Sequence, residues 1–255
     1  MSIYCRNRAT SIIGIVFFLL ALERTGVALS GTFQVNPIRI TLSPQSSSSL
    51  LTVRNDSSEK VRFQIGIFEW DQTSEGEMLL NPTEDLIFYP SLLAIDPGDE
   101  RNIRVGTNKS IVASEKSYRI FVEELPPADN SNHKGIRILT KMGVPIFIQP
   151  TKQLVQAQLD HMKMGETAFS FEIRNTGNVH FFPRSIHVRG SGSQGETMLA
   201  NQLQPWYILS GGVRKYSIEI PQKDCPKLQS LTVEVELEGK LLTEAFAMPL
   251  NVCKG

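Results

Sequence analysis

Two pairs of adjacent carboxylates are the residues of this chain best suited by type to acid–base chemistry. They are Glu84-Asp85 and Glu123-Glu124, and enzymes that move protons often use carboxyl groups as acid and base. Both pairs lie in or beside segments that alternate like β-strands, in which neighbouring side chains point to opposite faces of the sheet. Neither pair alone can therefore place two carboxyl groups on one reactant, and we expect no enzymatic activity.

The histidines and cysteines do not have the spacing of a metal site. The four histidines are His133, His161, His180 and His187. They are scattered over predicted loops and strands, and we expect each to be a surface or capping residue. Cys225 and Cys253 lack the second pair of ligands that a zinc site needs. The sequence also has no phosphate-binding loop, zinc-peptidase motif or nucleophile elbow, so we predict neither a metal nor a cofactor.

Aromatic residues are frequent in the predicted strands of the first half. They are Phe63, Phe68, Trp70, Phe88, Tyr89 and Phe121. Because aromatic side chains dominate the energetics of protein cores, we expect these residues to pack in a core or on a sheet face rather than to form a ligand cage.

Most of the chain alternates apolar and polar residues with the period of a β-strand. In the first half the predicted strands are 33–42, 51–55, 61–70, 86–89, 92–95, 101–106, 118–124 and 136–149. In the second half they are 168–174, 185–189, 216–220, 231–237 and 243–250. Short strands with turn residues between them are typical of a β-sandwich. The sequence therefore predicts an all-β protein with two sandwich domains joined near Pro150.

The first thirty residues have the pattern of a secretory signal peptide. Arg6 and Arg8 form a basic start, residues 12–22 are apolar, and Ala28-Leu29-Ser30 supplies small residues for cleavage near Ser30. The apolar run is shorter than the roughly 20 residues of a membrane span, and an uncleaved N-terminal anchor is the alternative. The predicted organisation is a signal peptide over 1–30, a first domain over 31–150 and a second domain over 151–255.

Composition and export limit the chemistry of the mature chain. The 26 basic and 26 acidic residues balance, which is not the footprint of a nucleic-acid-binding protein. Cys5 leaves with the signal, so Cys225 and Cys253 remain as a pair in an exported protein, where disulfides persist. A disulfide between them and two free thiols are both compatible with the sequence.

The segment 135–150 stands out among the predicted strands. It alternates at first, becomes almost continuously apolar before Pro150, and follows a polar, proline-rich loop over 125–134. A strand after such a loop can lie at a sheet edge, with unpaired backbone groups that invite pairing with another chain. We predict that this edge is offered to a partner polypeptide.

Motifs along the chain occur in the order seen in periplasmic pilus-assembly chaperones. Those of the first half are Pro37-Ile-Arg-Ile-Thr-Leu42, Leu51-Thr-Val-Arg-Asn55, Pro97-Gly98 before Arg104-Val105, Tyr118-Arg-Ile-Phe-Val-Glu-Glu-Leu-Pro-Pro127 and Ile146-Phe-Ile-Gln-Pro150. The second half adds Asn175-Thr-Gly-Asn-Val-His180 and Tyr207-Ile-Leu-Ser-Gly-Gly-Val-Arg214. Together they resemble the archaic-type branch of the chaperone–usher family over nearly all of the mature chain.

The resemblance implies two immunoglobulin-like domains set at an angle, with a cleft between them, in a periplasmic protein. Family members bind pilus subunits, whose immunoglobulin-like fold lacks a strand, by lending an edge strand, and they deliver the subunits to an outer-membrane usher. Matched residue by residue, the lending strand is 136–144. The residues on its subunit-binding face are Ile136, Ile138, Thr140 and Met142. The sequence leaves open whether the free protein self-associates through this edge.

The family holds the terminal carboxylate of the subunit with an Arg and a Lys in the cleft. Arg39 matches the Arg, whereas Pro145 stands in the position of the Lys. The candidates for a second carboxylate partner are Arg104, Arg119 and Lys141. Gln149 replaces a basic residue of the family's interdomain ion network, which implies that the hinge is fixed differently here.

Two other functions are compatible with parts of the sequence. A secreted pilin-like or adhesin subunit would carry an N-terminal donor segment, whereas this chain begins its first predicted strand at Phe33, almost directly after the signal. A carbohydrate-binding accessory domain would need an exposed aromatic platform, for which Trp70 and Trp206 are available. The pilus chaperone is the function that we predict.

Overall fold

A computed structural model describes residues 33–107, 109, 113–127 and 138–249. The predicted signal peptide, Ile136 of the predicted lending strand, His133 and Cys253 lie outside these residues. Within the described ranges, no helix combines the length and the apolar character that crossing a membrane requires.

The first half of the described chain forms a sandwich of two sheets. Its strands are β1 Phe33–Asn36, β2 Ile40–Leu42, β3 Ser48–Asn55, β4 Val61–Gln72, β5 Met78–Pro82, β6 Leu86–Tyr89, β7 Leu92–Ile95, β8 Glu100–Thr107, β9 Lys116–Leu125 and β10 Lys141–Ile148. One sheet has four strands in the order β1-β3-β8-β6. The other has six, in the order β2-β10-β9-β4-β5 with β7 also paired to β4.

The apolar residues of these strands meet in a core between the two sheets. In β4, for example, Val61, Phe63 and Ile65 are buried while the side chains between them are more exposed. Because side chains alternate between the faces of a strand, the period-two pattern of the sequence places one apolar row of each strand inward. The core extends from Phe33 to Ile148 along the chain.

The second half forms another sandwich. Its strands are β11 Ala157–Met164, β12 Ala168–Asn175, β13 Ser185–Ser191, β14 Thr197–Leu203, β15 Val213–Glu219, β16 Ser230–Leu237 and β17 Lys240–Ala247. The sheets have the orders β11-β12-β15 and β14-β13-β16-β17, and they enclose a second core around Phe169, Phe171 and Ile173. The predicted all-β fold of two sandwiches is thus confirmed.

The first predicted strand is divided between the two sheets of the first sandwich. β1 pairs with β3 in the four-stranded sheet, whereas β2 pairs with β10 in the six-stranded sheet. Pro37 lies between β1 and β2. Proline fixes φ and has no backbone N–H, so it interrupts a ladder without interrupting the alternation of the sequence. The prediction of one continuous strand over 33–42 was wrong for this reason.

The predicted lending strand also begins later than expected, at Lys141 rather than at residue 136. The register pairs Lys141 with Glu123, so residues before Thr140 face the end of β9 and the Pro126-Pro127 segment. Proline has no N–H to donate to a ladder. Residues 138–140 therefore lie outside any strand.

Candidate functional site

The N-terminal half of β10 has a strand neighbour on one side only. The whole of β10 pairs antiparallel with β9, but β2 covers its other side only at Ile146–Ile148. Lys141–Pro145 is therefore an open edge of the sheet, along which no described strand uses the outward backbone groups. We call Lys141–Pro145 the free edge.

Side chains along the free edge divide between the core and the opposite face of the sheet. Met142 packs against the core of the first sandwich, and Val144 is buried in it. Lys141 lies over the ring of Phe121, with its Nζ 5.0 Å from the ring centroid. We call the face that carries Phe121, together with Arg119 and Trp70, the cleft face because its aromatic residues contact the second sandwich.

Two of the predicted subunit-binding residues precede the free edge. Thr140 is half-buried; its carbonyl accepts a hydrogen bond of 2.9 Å from the Glu124 N–H, and its own N–H donates to Glu124 Oε2 at 3.3 Å. Ile138 is 80% exposed. The side chain of Ile138 is thus available to a partner, whereas Thr140 is tied to β9.

The four candidate cations occupy different parts of the first sandwich. Arg104 is exposed on β8, in the four-stranded sheet, and pairs across strands with Leu50 and Tyr89. Lys141 already forms an ion pair of 2.8 Å with Glu123. Arg104 therefore lies away from the cleft face, and Lys141 is already paired with a carboxylate.

Arg39 and Arg119 come from strands on either side of Pro145. Arg39 is exposed and directly precedes Ile40, which pairs with Ile146, while Pro145 pairs with Arg119. The register therefore brings the start of β2 and the middle of β9 to opposite sides of the position that holds a Lys in the resembling family.

Arg119 lies almost fully buried on the cleft face. It is 7% exposed, and its guanidinium Cζ stands 4.1 Å from the ring centroid of Trp70. Burial lowers the pKa of Arg119, because moving a cation out of water disfavours its charged form. Its Nε has no hydrogen-bond partner in the described part of the chain. A cation held in this way gains from an anion that can reach it.

Trp70 adds a second unpaired donor at the same place. Its indole Nε1 is also buried without a hydrogen-bond partner among the described residues. Leaving a buried polar group unpaired costs free energy. Arg119 and Trp70 therefore each carry a buried donor without a partner among the described residues, and their side chains lie together on the cleft face.

The two sandwiches meet in a small aromatic core of their own. Trp70 and Phe147 from the first sandwich pack with Leu209 and Tyr207 from the second. Gln72 extends the contact, since its side chain donates to the Tyr207 carbonyl at 3.1 Å and accepts from the Leu209 N–H at 3.3 Å. The cleft face is therefore held against the second sandwich next to the free edge.

A buried His–Glu pair also joins the sandwiches. His180 stacks on Phe147 with ring centroids 3.6 Å apart, and its Nδ1 lies 2.7 Å from Glu115 Oε1. The expectation of a surface or capping histidine was wrong for His180, because the Glu115 carboxylate that accompanies it into the interface compensates for its burial. Gln149, by contrast, accepts a hydrogen bond from Gln153 at 3.0 Å, which agrees with a hinge that does not use a basic residue there.

The two acidic pairs have structural roles. Asp85 accepts hydrogen bonds of 2.8 Å from both Lys116 and Tyr118, and these bonds lower the pKa of Asp85 to about 2. Glu123 is half-exposed in its ion pair with Lys141, whereas Glu124 is buried. Glu123 and Glu124 thus differ in burial, as expected for neighbours on a strand, whereas Glu84 and Asp85 lie just before β6. No cluster of three potential metal ligands occurs within the described ranges.

The remaining sequence predictions have mixed outcomes. Cys225 is disulfide-bonded, while its predicted partner Cys253 lies outside the described residues, so their pairing stays a prediction. Phe63 and Trp70 are buried and Phe68 packs against Phe121, as expected. Tyr89 is 78% exposed, contrary to the expectation that it packs.

Sequence reasoning named Trp206 and Tyr207 separately and did not group them with Phe182 as the aromatic residues that the second sandwich brings to the cleft. Phe182, Trp206 and Tyr207 contact one another there. They lie in loops without the alternation that marks strands, so the pattern gave no reason to group them. The sequence signal that could have identified them is the prolines beside them, since Pro183 follows Phe182 and Pro205 precedes Trp206.

Comparisons with known proteins agree with this geometry. Residues 32–154 match a family model described as pili and flagellar-assembly chaperone, PapD N-terminal domain. The curated proteins include no match to the chain.

Solved structures of fimbrial chaperones are similar over most of the chain. The class 5 fimbriae chaperone CfaA is 17% identical with a TM-score of 0.57, over 84% of this chain and 98% of its own. The complex of CsuC with the tip adhesion subunit CsuE, from archaic Csu pili of Acinetobacter baumannii, gives 15% identity and a TM-score of 0.58 over 84% and 98%. The YadV chaperone gives 12% and 0.58 over 85% and 100%. At such identities these structures show a common fold.

Proposed function

Because residues 32–154 match the family model of pili and flagellar-assembly chaperones, we propose that the chain belongs to that family and binds pilus subunits in the periplasm by lending them the free edge of β10. The subunit would add a strand alongside Lys141–Pro145 and extend the six-stranded sheet. Strand addition of this kind gives affinity through backbone hydrogen bonds and specificity through alternate side chains.

The single observation that carries this proposal is the open side of β10 beside an exposed isoleucine. Ile138 is 80% exposed and lies just ahead of the free edge, so its side chain is available to a chain that pairs there. With Ile136, it supplies the side chains that would enter the groove of the subunit. Burying each isoleucine contributes about 1.5–3 kcal/mol, which suits a partner that is later handed on.

The carboxylate at the end of the subunit is proposed to bind between Arg39 and Arg119. Arg39 is exposed, Arg119 is buried without an acidic partner among the described residues, and both flank Pro145 in the register. An Arg fork matches a carboxylate in geometry as well as charge. Of the three candidates for the second partner, Arg119 has the environment that most favours an incoming anion.

The rest of the proposal follows from the family. The chain is exported by the signal peptide over residues 1–30, acts without catalysis, and passes its subunit to an outer-membrane usher. We assign Cys253 as the disulfide partner of Cys225 because these two cysteines remain after removal of the signal peptide.

Co-expression with a pilus subunit encoded beside the chaperone tests the proposal. A tagged Ile138→Asp variant is expected to recover little subunit from the periplasm, because a charge would have to enter an apolar groove. Leu241→Asp is the matched control, since Leu241 is 61% exposed on β17 and lies away from the free edge. Equal recovery with Ile138→Asp and the wild type would contradict the proposal.

A further inference from the structure

We propose that the second sandwich takes part in subunit binding through an aromatic shelf formed by Phe182 and Trp206, which packs on the last apolar side chains of the subunit beside its carboxylate. This inference rests on the proposed function and adds a specificity determinant from the second sandwich.

The aromatic shelf is exposed but firmly supported. Phe182 is 43% and Trp206 is 37% exposed. Both rings stand edge-on to Tyr207, at centroid distances of 5.0 and 5.8 Å, and Tyr207 in turn stands edge-on to Trp70 at 5.6 Å. The shelf therefore continues the aromatic core that joins the two sandwiches.

The local chain fixes which aromatic residues face outward. A bridge of two hydrogen bonds joins Phe181 and Ile208, from N to O at 3.1 and 2.9 Å, and both residues are buried. Phe182 follows the first of them and therefore turns away from the core of the second sandwich. The ring of Phe182 thus lies outside the core of the second sandwich and packs on Tyr207. Its outer face is exposed and available to a ligand.

The shelf adjoins the unpaired cation of the first sandwich. The guanidinium Cζ of Arg119 lies 6.0 Å from the ring centroid of Trp206 and 4.1 Å from that of Trp70. The buried Arg119, which has no acidic partner within the part of the chain that the structure describes, thus lies close to aromatic rings from both sandwiches. The complementary ligand is a carboxylate attached to a flat or apolar side chain.

The free edge leads directly to this place, which identifies the occupant as a polypeptide terminus. Gly143 is the residue between them: a Cβ there would lie 2.8 Å from Phe121 Cε1 and 3.5 Å from Arg119 Nη1. A side chain at this position would therefore have to displace the Phe121 ring, and glycine leaves the cleft face unobstructed. A strand that pairs with Lys141–Pro145 can therefore end with its carboxylate at Arg119 and its final side chains on the shelf.

Affinity measurements with matched variants on both sides of the contact test the inference. The probe is the pilus subunit encoded beside the chaperone, either intact or with its last two side chains changed to alanine. A Phe182→Ala/Trp206→Ala chaperone is expected to bind the intact subunit about tenfold more weakly, at about 1.4 kcal/mol per tenfold change. It should bind the alanine-ended subunit no more weakly than the wild-type chaperone does.

Controls separate this inference from the proposed function. Leu241→Ala on β17 should bind as the wild type, and thermal unfolding of each variant verifies that the fold is kept. Trp206→Phe should restore most of the affinity if a flat ring is what matters. Unchanged binding by the Phe182→Ala/Trp206→Ala variant, while Ile138→Asp still abolishes binding, would overturn the shelf alone. Unchanged binding by Ile138→Asp would overturn the lending of β10.

Discussion

The six-stranded sheet carries exposed apolar residues at both of its sides, and we propose that only one of these sides binds a partner. On the outer side, β5 exposes Met78, Leu79 and Leu80 by 38–44%. On the other side, Ile138 is twice as exposed in proportion, and the free edge follows it. Exposure of apolar side chains alone therefore does not distinguish the two sides.

The surroundings of the two edges differ. The hairpin that leads into β5 docks on the second sandwich, where the Ser74 carbonyl accepts a hydrogen bond of 2.7 Å from the Lys215 N–H. In that hairpin, Gly76 has φ +85° and a Cβ there would overlap the Arg214 guanidinium. The edge at β5 thus contacts the second sandwich. The free edge instead lies beside the buried Arg119, which has no acidic partner among the described residues, and beside the exposed Ile138. A binding edge is marked by what remains unsatisfied next to it.

The largest expected effect on subunit binding comes from introducing an aspartate at each of the two edges. Ile138→Asp should weaken subunit binding at least about 100-fold, since it loses about 1.5–3 kcal/mol of burial and adds a charge to an apolar groove. Leu79→Asp at the β5 edge should change binding by less than about threefold. Titration of purified subunit against each variant gives both numbers. Similar losses at both edges would show that the comparison is wrong.

The joint between the sandwiches is expected to matter for stability. Glu115 Oε1 contacts both the backbone N–H and the imidazole Nδ1 of His180. Glu115→Ala leaves both groups buried without this partner, and we expect a loss of about 3 kcal/mol in the free energy of unfolding. Glu172→Ala is the control, because its partner His161 is 67% exposed and exposed pairs contribute at most about 1 kcal/mol. Urea unfolding of both variants measures the difference. Equal losses would place the main joint elsewhere.

Arg119 should affect binding and stability with opposite signs. Arg119→Met is expected to weaken subunit binding by about 10- to 100-fold, because a hydrogen bond to a charged group contributes about 1.5–3 kcal/mol. The same change should leave the free protein as stable as the wild type or more so, since it removes a buried, unpaired charge. Arg104→Met, on the exposed face of the other sheet, should do neither. A loss of stability without a loss of binding would make Arg119 purely structural.

Asp85 is expected to give the smallest effect and to act far from either edge. Its pKa is lowered to about 2 by Lys116 first and then by Tyr118, so its carboxylate stabilises the folded state above its unfolded pKa near 4. That contribution, about 2 kcal/mol, is lost as the pH falls from about 4 to 2. The difference in unfolding free energy between wild type and Asp85→Asn should shrink over this range. A constant difference would contradict the assigned pKa.

The fold could be predicted from the sequence largely because its strands alternate. Most strands with a clear apolar row, such as β4 and β16, were found with ends shifted by a few residues. β5 was missed because Met78-Leu79-Leu80 is continuously apolar, and both faces of that strand are exposed. β14 was missed because Thr197–Leu203 offers no regular apolar row and only a partly buried face.

The site could be predicted only where it depends on local pattern. The edge strand after the Pro-Pro loop and the availability of Ile138 could be predicted from the sequence. The choice among Arg104, Arg119 and Lys141 was not, because it depends on which strands adjoin Pro145 and on the carboxylates that other chain segments supply. The same holds for the Glu115–His180 contact, whose residues are far apart in sequence and meet only when the two sandwiches pack.

Amide hydrogen exchange along β10 tests the central claim most directly. In the free protein, outward-facing amides of Lys141–Val144 should exchange rapidly, while Ile146–Ile148, covered by β2 and β9, should be slow. On binding a pilus subunit, the outward-facing amides within Lys141–Val144 should become protected, whereas the amides that already bond to β9 and those of β5 should not change. If β10 exchanges at the same rate with and without the subunit, the partner does not pair with the free edge and the account is wrong.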